Sequence, residues 1–175
     1  LKTLQKYTDY FDKELKNQYE LFIVINGCKD NTEGVVKTFA KKHKEVKYKD
    51  VGKVNAKGAA LIEGFKIVQG DYIGFVDADG ATPPHAFHDL HKQIGNNEGV
   101  IASRWMKGAV MTPKQPLIRR IASRCFNILV RILFLLPYND TQTGAKLFKK
   151  KALKTILPEL GFSQWGFDID LLYIL

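Results

Sequence analysis

Residues 72–76, Tyr-Ile-Gly-Phe-Val, form an apolar run with no polar interruption, and the run stops abruptly at Asp77-Ala78-Asp79-Gly80. A strand with one wet face alternates apolar and polar residues, whereas an unbroken apolar strand is covered on both faces. This selects a sheet flanked by helices, and the rest of the chain agrees. Residues 20–26 are a second apolar strand closed by Gly27, residues 46–51 and 99–102 are short strands, and residues 144–148 read as a fifth. Helical patterns lie between them. A polar helix covers 3–16, and the turn Asp30-Asn31-Thr32 opens one that runs to Lys42. Asn55 caps one reaching Val68, and Thr82-Pro83 begins one reaching Ile94. A long helix covers 117–136 before Pro137, and a last one begins near Phe167. Strands alternating with helices predict an α/β sandwich with a mostly parallel central sheet. A length of 175 residues fits one such domain with a sizeable core.

Ligands in such sheets gather at the carboxyl ends of the strands, which here are Asn26, Asp77–Asp79 and Ser103-Arg104. Strand alternation would send the carboxylates of Asp77 and Asp79 to the same side. Two adjacent carboxylates repel each other unless a cation joins them. Mg²⁺ or Mn²⁺ takes oxygen ligands and commonly shares them with substrate phosphates. The pair therefore reads as a seat for a metal–diphosphate, or alternatively as an acidic turn in which Asp79 caps the next helix. His85, His88 and His91 follow at spacings of three. That spacing fits a solvated helix face as well as a partial zinc site.

The charge is uneven. The net charge is +9, from 27 Lys and Arg against 18 Asp and Glu. Residues 37–57 hold eight lysines in no regular pattern, which reads as a solvated surface. Residues 99–139 hold Arg104, Lys107, Lys114, Arg119, Arg120, Arg124 and Arg131 and no carboxylate, a stretch expected to sustain a positive potential toward an anionic partner. No array of stacking aromatics or nucleic-acid motif accompanies that charge, so nucleic acid is not the expected partner. Cys28 and Cys125 are too few for a disulfide scaffold, which points to a reducing compartment. No apolar stretch approaches the roughly 20 residues needed to cross a bilayer.

On a helix over 117–136, Arg119, Arg120, Ser123, Arg124, Asn127 and Arg131 fall within an arc of about 140°. Apolar side chains fill most of the remaining circumference. Two arrangements fit: a core helix with a solvated arginine face, or an interfacial helix whose arginines meet phosphates.

Several strings then occur in a fixed order: Asp30-Asn31-Thr32 after a strand, Lys57-Gly58 opening a helix, residues 75–82 (FVDADGAT), Ser103-Arg104, residues 140–148 (DTQTGAKLF) and residues 165–172 (WGFDIDLL). Together they resemble the family 2 glycosyltransferases with the GT-A fold. Within these, the chain looks most like the dolichyl-phosphate β-glucosyltransferases, with the dolichyl-phosphate mannosyltransferases as near relatives. The resemblance covers residues 20–175.

The resemblance implies an inverting transfer of a sugar, with glucose from UDP-glucose favoured, onto a polyprenyl or dolichyl phosphate. GDP-mannose as donor, or a soluble hydroxyl acceptor, are the alternatives. It implies a Mg²⁺ or Mn²⁺ ion held by Asp79, with Asp77 sharing the metal or touching the nucleotide sugar. Asn26 and Lys57 would contact the donor. Arg104, Arg119 and Ser123, with Arg131 nearby, would hold the acceptor phosphate. Asp140 would sit at the catalytic centre, and Asp168 and Asp170 match a late acidic motif. It also implies a peripheral location on the cytoplasmic face of a membrane. Residues 1–175 are expected to form a single GT-A domain that lacks the family's first strand and its C-terminal end. Asn26 stands where relatives usually carry Asp, Ala56 replaces the first glycine of the lysine loop, and Ile62 replaces a common Arg.

Overall fold

The computed structural model describes residues 1–54, 56–106, 108–109, 116–161 and 166–175, and for Arg119 the backbone only. The expected Asn55 cap, Lys107 and Lys114 therefore lie outside the described residues. Among the described residues five strands form: β1 Leu21–Ile25, β2 Val46–Asp50, β3 Tyr72–Val76, β4 Gly99–Ile101 and β5 Ala145–Lys149; all but β2, which is Val-Lys-Tyr-Lys-Asp and exposed beyond Val46, are mainly apolar. Helices occupy the amphipathic intervals: α1 Lys2–Leu15, α2 Thr32–Ala40, α3 Ala56–Phe65, α4 Pro84–Gln93, α5 Leu117–Phe134, α6 Lys150–Ile156 and α7 Phe167–Ile174. The short α6 departs from the sequence reading, which has no helix there. Its seven residues are lysine-rich, and only two apolar side chains, Leu153 and Ile156, are driven inward.

The strands hydrogen-bond in two groups. β1 and β2 are parallel, with Leu21 opposite Val46 and Ile25 opposite Asp50. In the second group the order is β3-β5-β4, with β5 antiparallel to both neighbours. The expected parallel arrangement therefore holds for β1 with β2 and for the shared direction of β3 and β4. The reversed β5 between them is the departure. The connection from β4 to β5 carries α5 and is long enough for a crossover, so the direction of β5 is seen only in its pairing, with Val76 opposite Ala145 and Ile101 opposite Lys146.

The core lies where α3, α6 and α7 cover the β3–β5 sheet. Ile62 and Phe65 of α3, Ile73 and Phe75 of β3, Phe148 of β5 and Leu171 of α7 form one buried cluster. The unbroken apolar character of β3 is explained by what sits on its two sides. Phe75 faces Phe65 and Phe167, while the Gly74 position is closed by Phe87 of α4. α1 has a polar average but buries Tyr7 and Phe11, and it packs on α4. There Tyr10 Oη meets His88 Nδ1 at 3.2 Å and Tyr7 Oη donates to the Thr82 carbonyl at 2.8 Å.

The long helix settles between its two arrangements in an instructive way. The inward stripe of α5 is Ser123, Asn127 and Val130, with Val130 only 3% exposed and packed near Ile169 and Leu172 of α7. The apolar face points away from the protein: Ile118 is 83% exposed, and Ile121, Ile128, Leu129, Ile132 and Leu133 are all exposed. The core-helix arrangement is thereby overturned. Asn127 anchors the inverted orientation from the buried side. With its amide turned to suit its neighbours, it donates to the Asn139 carbonyl at 3.1 Å and accepts from the Thr141 N–H at 3.1 Å. The helix ends at Phe134, two residues earlier than the sequence predicts, and is closed by Leu135, whose φ of 53° is left-handed. Among the described residues, no helix is long and apolar enough to cross a membrane.

Candidate active site

The carboxyl end of β3 and the start of β5 are joined where the Asp77 N–H donates to the Gly144 carbonyl at 2.9 Å. Gly144 lies flat beneath the Asp77 carboxylate, and a Cβ at this position would collide with Asp77 Oδ2. Only glycine can bring the β5 backbone this close. On its other side, Asp77 Oδ1 is paired with Lys57 Nζ from the first turn of α3 at 2.5 Å. The same ammonium lies 5.1 Å from the centre of the Phe75 ring.

Asp79 is arranged differently from the sequence reading. β3 ends at Val76, so strand alternation does not carry through to Asp79. Its Oδ1 instead accepts the Ala81 N–H at 2.9 Å across a turn in which Gly80 takes φ +75°. Nor does Asp79 cap the next helix: α4 starts after Pro83 without a side-chain cap. The Asp79 carboxylate is exposed and carries no ion pair among the described residues. Among those residues, no group of three or more His, Cys, Asp or Glu side chains gathers as a metal cage. This includes the three histidines of α4: His88 is packed against Tyr10 and Phe11, and His91 stands edge-on to Tyr72. One or two carboxylates on a strand-end turn do fit Mg²⁺ or Mn²⁺, which completes its octahedron with water and substrate phosphates.

Arg104 and Asp140 form the second acid–cation pair. Asp140 Oδ2 accepts from the Arg104 backbone N–H at 2.9 Å and from Nε at 2.8 Å, and Oδ1 accepts from Nη2 at 2.7 Å. The buried carboxylate raises the guanidinium pKa further above its ordinary range. Arg104 Nη2 also reaches Ser123 Oγ on α5 at 3.5 Å. Arg131, two helical turns beyond Ser123, donates to Asn139 Oδ1 at 3.3 Å and does not join the Arg104 group. The Arg119 side chain lies outside the described residues.

The sequence reading assigns no role to Lys146, the third cation of the site. It is fully buried on β5, and its Nζ donates to the Thr143 carbonyl at 2.7 Å and to Asp168 Oδ1 of α7 at 2.5 Å. Burial pushes its pKa down, and Asp168 opposes that shift. A lysine inside the apolar run Ala145–Phe148 was the available signal, because a charge buried in a strand needs a fixed counter-ion. Asn26 directly follows β1, and its Oδ1 accepts the Val54 N–H at 3.0 Å, tying the loop before α3 to the strand end. The structure thus brings Asp77 to Lys57 and Arg104 to Asp140 and Ser123. Asn26 lies at the end of β1, in the other hydrogen-bonded group of strands.

Residues 5–157 match the family described as Glycosyl transferase family 2. The chain is 36% identical over 163 residues to the dolichyl-phosphate beta-glucosyltransferase ALG5C of Trichomonas vaginalis, covering 89% of this chain and 48% of that protein. It is 31% identical over 170 residues to a dolichyl-phosphate beta-glucosyltransferase of Dictyostelium discoideum, covering 93% and 52%. It is 30% identical over 178 residues to the human protein of the same name, covering 94% and 55%. The chain therefore spans about half the length of these relatives. With the α/β architecture and the strand-end acidic turn in place, the chain belongs to glycosyl transferase family 2, a family of GT-A glycosyltransferases.

Proposed function

We propose that this domain transfers a hexose, glucose from UDP-glucose, to the phosphate of a polyprenyl or dolichyl lipid at the cytoplasmic face of a membrane. The observation that carries the reading is α5. A helix with its apolar face turned outward and Ser123 beside the Arg104 guanidinium suits an acceptor with a phosphate head and an apolar tail. The names of the relatives point to the same acceptor.

The chemistry asks little of a base. The second pKa of a phosphate monoester is about 6, so the acceptor oxygen is largely ionised at neutral pH. It forms the new bond to the anomeric carbon as the bond to the UDP oxygen breaks, and the electron pair leaves with UDP. Asp79, with Asp77 beside it, would hold a divalent cation, which would supply charge neutralisation for that leaving group. Lys57, beside Asp77, adds a positive charge on the donor side, and Asn26 orients the loop next to it. Arg104, with Ser123, receives the acceptor phosphate through paired N–H donors.

The test is release of nucleotide from UDP-glucose and from GDP-mannose, each with and without polyprenyl phosphate. The reading expects turnover with UDP-glucose that depends on the lipid phosphate. Preference for GDP-mannose would change the donor, and lipid-independent turnover onto a hydroxyl compound would overturn the acceptor.

A further inference from the structure

Asp140 has little left over for proton transfer. It is 1% exposed, and three N–H donors of a single residue occupy its two oxygens at 2.7–2.9 Å. A carboxylate offers about four lone-pair directions. A general base needs an oxygen within hydrogen-bond reach of the proton it takes. Arg104 is the more available partner. Its Nε and Nη2 are committed to Asp140, Nη2 also reaches toward Ser123, and Nη1 has no partner among the described residues. The Arg104 backbone N–H is tied to the same Asp140 oxygen, so the main chain and the guanidinium are fixed together. A side-on pair of this kind removes rotamer freedom from a long cation before any ligand arrives.

We infer that Asp140 is a positioning residue that acts through Arg104: it clamps the guanidinium side-on, so that the opposite edge, toward Ser123 of α5, meets the acceptor phosphate. The inference rests on the phosphate-acceptor reading above. It accounts for a buried acid at the centre of a site whose nucleophile is already ionised. It also accounts for the 36-residue separation between the partners, which joins the end of β4 to the segment leading into β5.

The experiment uses UDP-glucose with citronellyl phosphate as a water-soluble acceptor probe, and the variants Asp140→Asn, Arg104→Lys and the double variant. Asp140→Asn is expected to raise both KM and the directly titrated Kd for citronellyl phosphate by about tenfold, the effect of one well-placed hydrogen bond to a charged group. Its kcat should change far less. The acid limb of the pH–rate profile should persist near pH ~6 in this variant, because it belongs to the acceptor's own ionisation. The effects of Asp140→Asn and Arg104→Lys should overlap rather than multiply, since both residues act through one guanidinium. A collapse of kcat with unchanged Kd and loss of the acid limb would make Asp140 the base and overturn the inference. If Asp140→Asn does not fold, Arg104→Lys alone decides: unaltered citronellyl phosphate affinity overturns it. A wild-type protein that binds no citronellyl phosphate removes the acceptor reading itself, and this inference with it.

Discussion

Lys146 Nζ lies 2.5 Å from Asp168 Oδ1, and this pair ties the central strand β5 to the first turn of α7. The lysine is 0% exposed whereas the aspartate keeps some contact with solvent. The two partners should therefore respond unequally to removal. Asp168→Asn leaves a buried ammonium without its counter-ion and should destabilise the fold by about 3 kcal/mol or more. Lys146→Met leaves an aspartate that can rehydrate, and should cost less. The pH dependence separates them further. Burial lowers the folded pKa of Lys146 below its ordinary 10.5, so between those two values the unfolded state binds more protons and stability rises with pH. Removing Asp168 removes a group that raises this pKa, so the rise should begin at lower pH in Asp168→Asn. Urea midpoints from pH 7 to 10 check both statements.

Asp79 carries no ion pair among the described residues, so it is the carboxylate to vary for cation dependence. UDP with Mn²⁺ should raise the thermal midpoint of the wild-type protein more than UDP alone, because a ligand bound only by the native state stabilises it. Asp79→Asn should lose the Mn²⁺-dependent part while keeping the wild-type midpoint in buffer. Its transfer rate should fall by ~10²–10³-fold, the usual loss when one electrostatic element of a transition state is removed. Chelation of the wild-type protein should produce the same two losses.

Local signals made much of this legible in the sequence. The five-residue run of β3 and its acidic stop, the Asp168-bearing start of α7 and the lysine at the head of α3 are each written within one short segment. What escaped depends on distant contacts. The reversal of β5 is set by pairing with Tyr72–Val76, some 70 residues earlier in the chain, and no pattern within residues 144–148 encodes a direction. Lys146 becomes meaningful only when a residue 22 positions later meets it. For α5, periodicity separates two faces but does not say which one turns inward. The deciding contacts come from Asn139 and Thr141, beyond the helix.

Ala56 takes φ 68°, in the left-handed region that favours glycine. An L-residue there costs roughly 1–2 kcal/mol. Glycine relieves that cost but loses roughly 0.5–1 kcal/mol to its greater freedom when unfolded. Ala56→Gly should therefore stabilise the protein by about 0.5–1 kcal/mol, a rise of a few degrees in Tm for a chain of this size. A scanning-calorimetry comparison settles the sign, and a fall in Tm would contradict the strain argument.

His88 closes the contact between α1 and α4, with Tyr10 Oη at 3.2 Å from Nδ1 and the rings of Tyr10 and Phe11 edge-on to it. Burial lowers its pKa first, with the nearby Lys92 and His91 adding to the effect and Glu14 and Asp89 opposing it. The neutral ring is therefore the folded form. Above pH 6.5 this residue costs nothing. As pH falls from 6.5 toward the depressed folded value, the unfolded state takes up a proton that the folded state refuses, and stability is lost. The thermal midpoint of the wild-type protein should decline through this window, and His88→Gln should flatten the decline. Parallel curves for the two proteins would assign the acid sensitivity elsewhere.

The outward face of α5 gives a separable prediction for membrane contact. Ile132 and Leu133 are 68% and 65% exposed, so replacing both with glutamate should leave the thermal midpoint nearly unchanged. Burying such a side chain in an apolar phase is worth about 1.5–3 kcal/mol. Losing two of them should weaken binding to vesicles by about 100-fold or more, before the added repulsion from anionic lipid is counted. Arg120 and Arg124 border the same face, and each basic residue near an anionic surface adds about 1 kcal/mol that salt screens away. Arg120→Gln should therefore lower affinity for phosphatidylserine-containing vesicles at low salt and have little effect on neutral ones. Co-sedimentation of the wild type, Ile132→Glu/Leu133→Glu and Arg120→Gln proteins with both vesicle types reads these terms independently. Equal sedimentation of all three would mean that α5 meets something other than lipid.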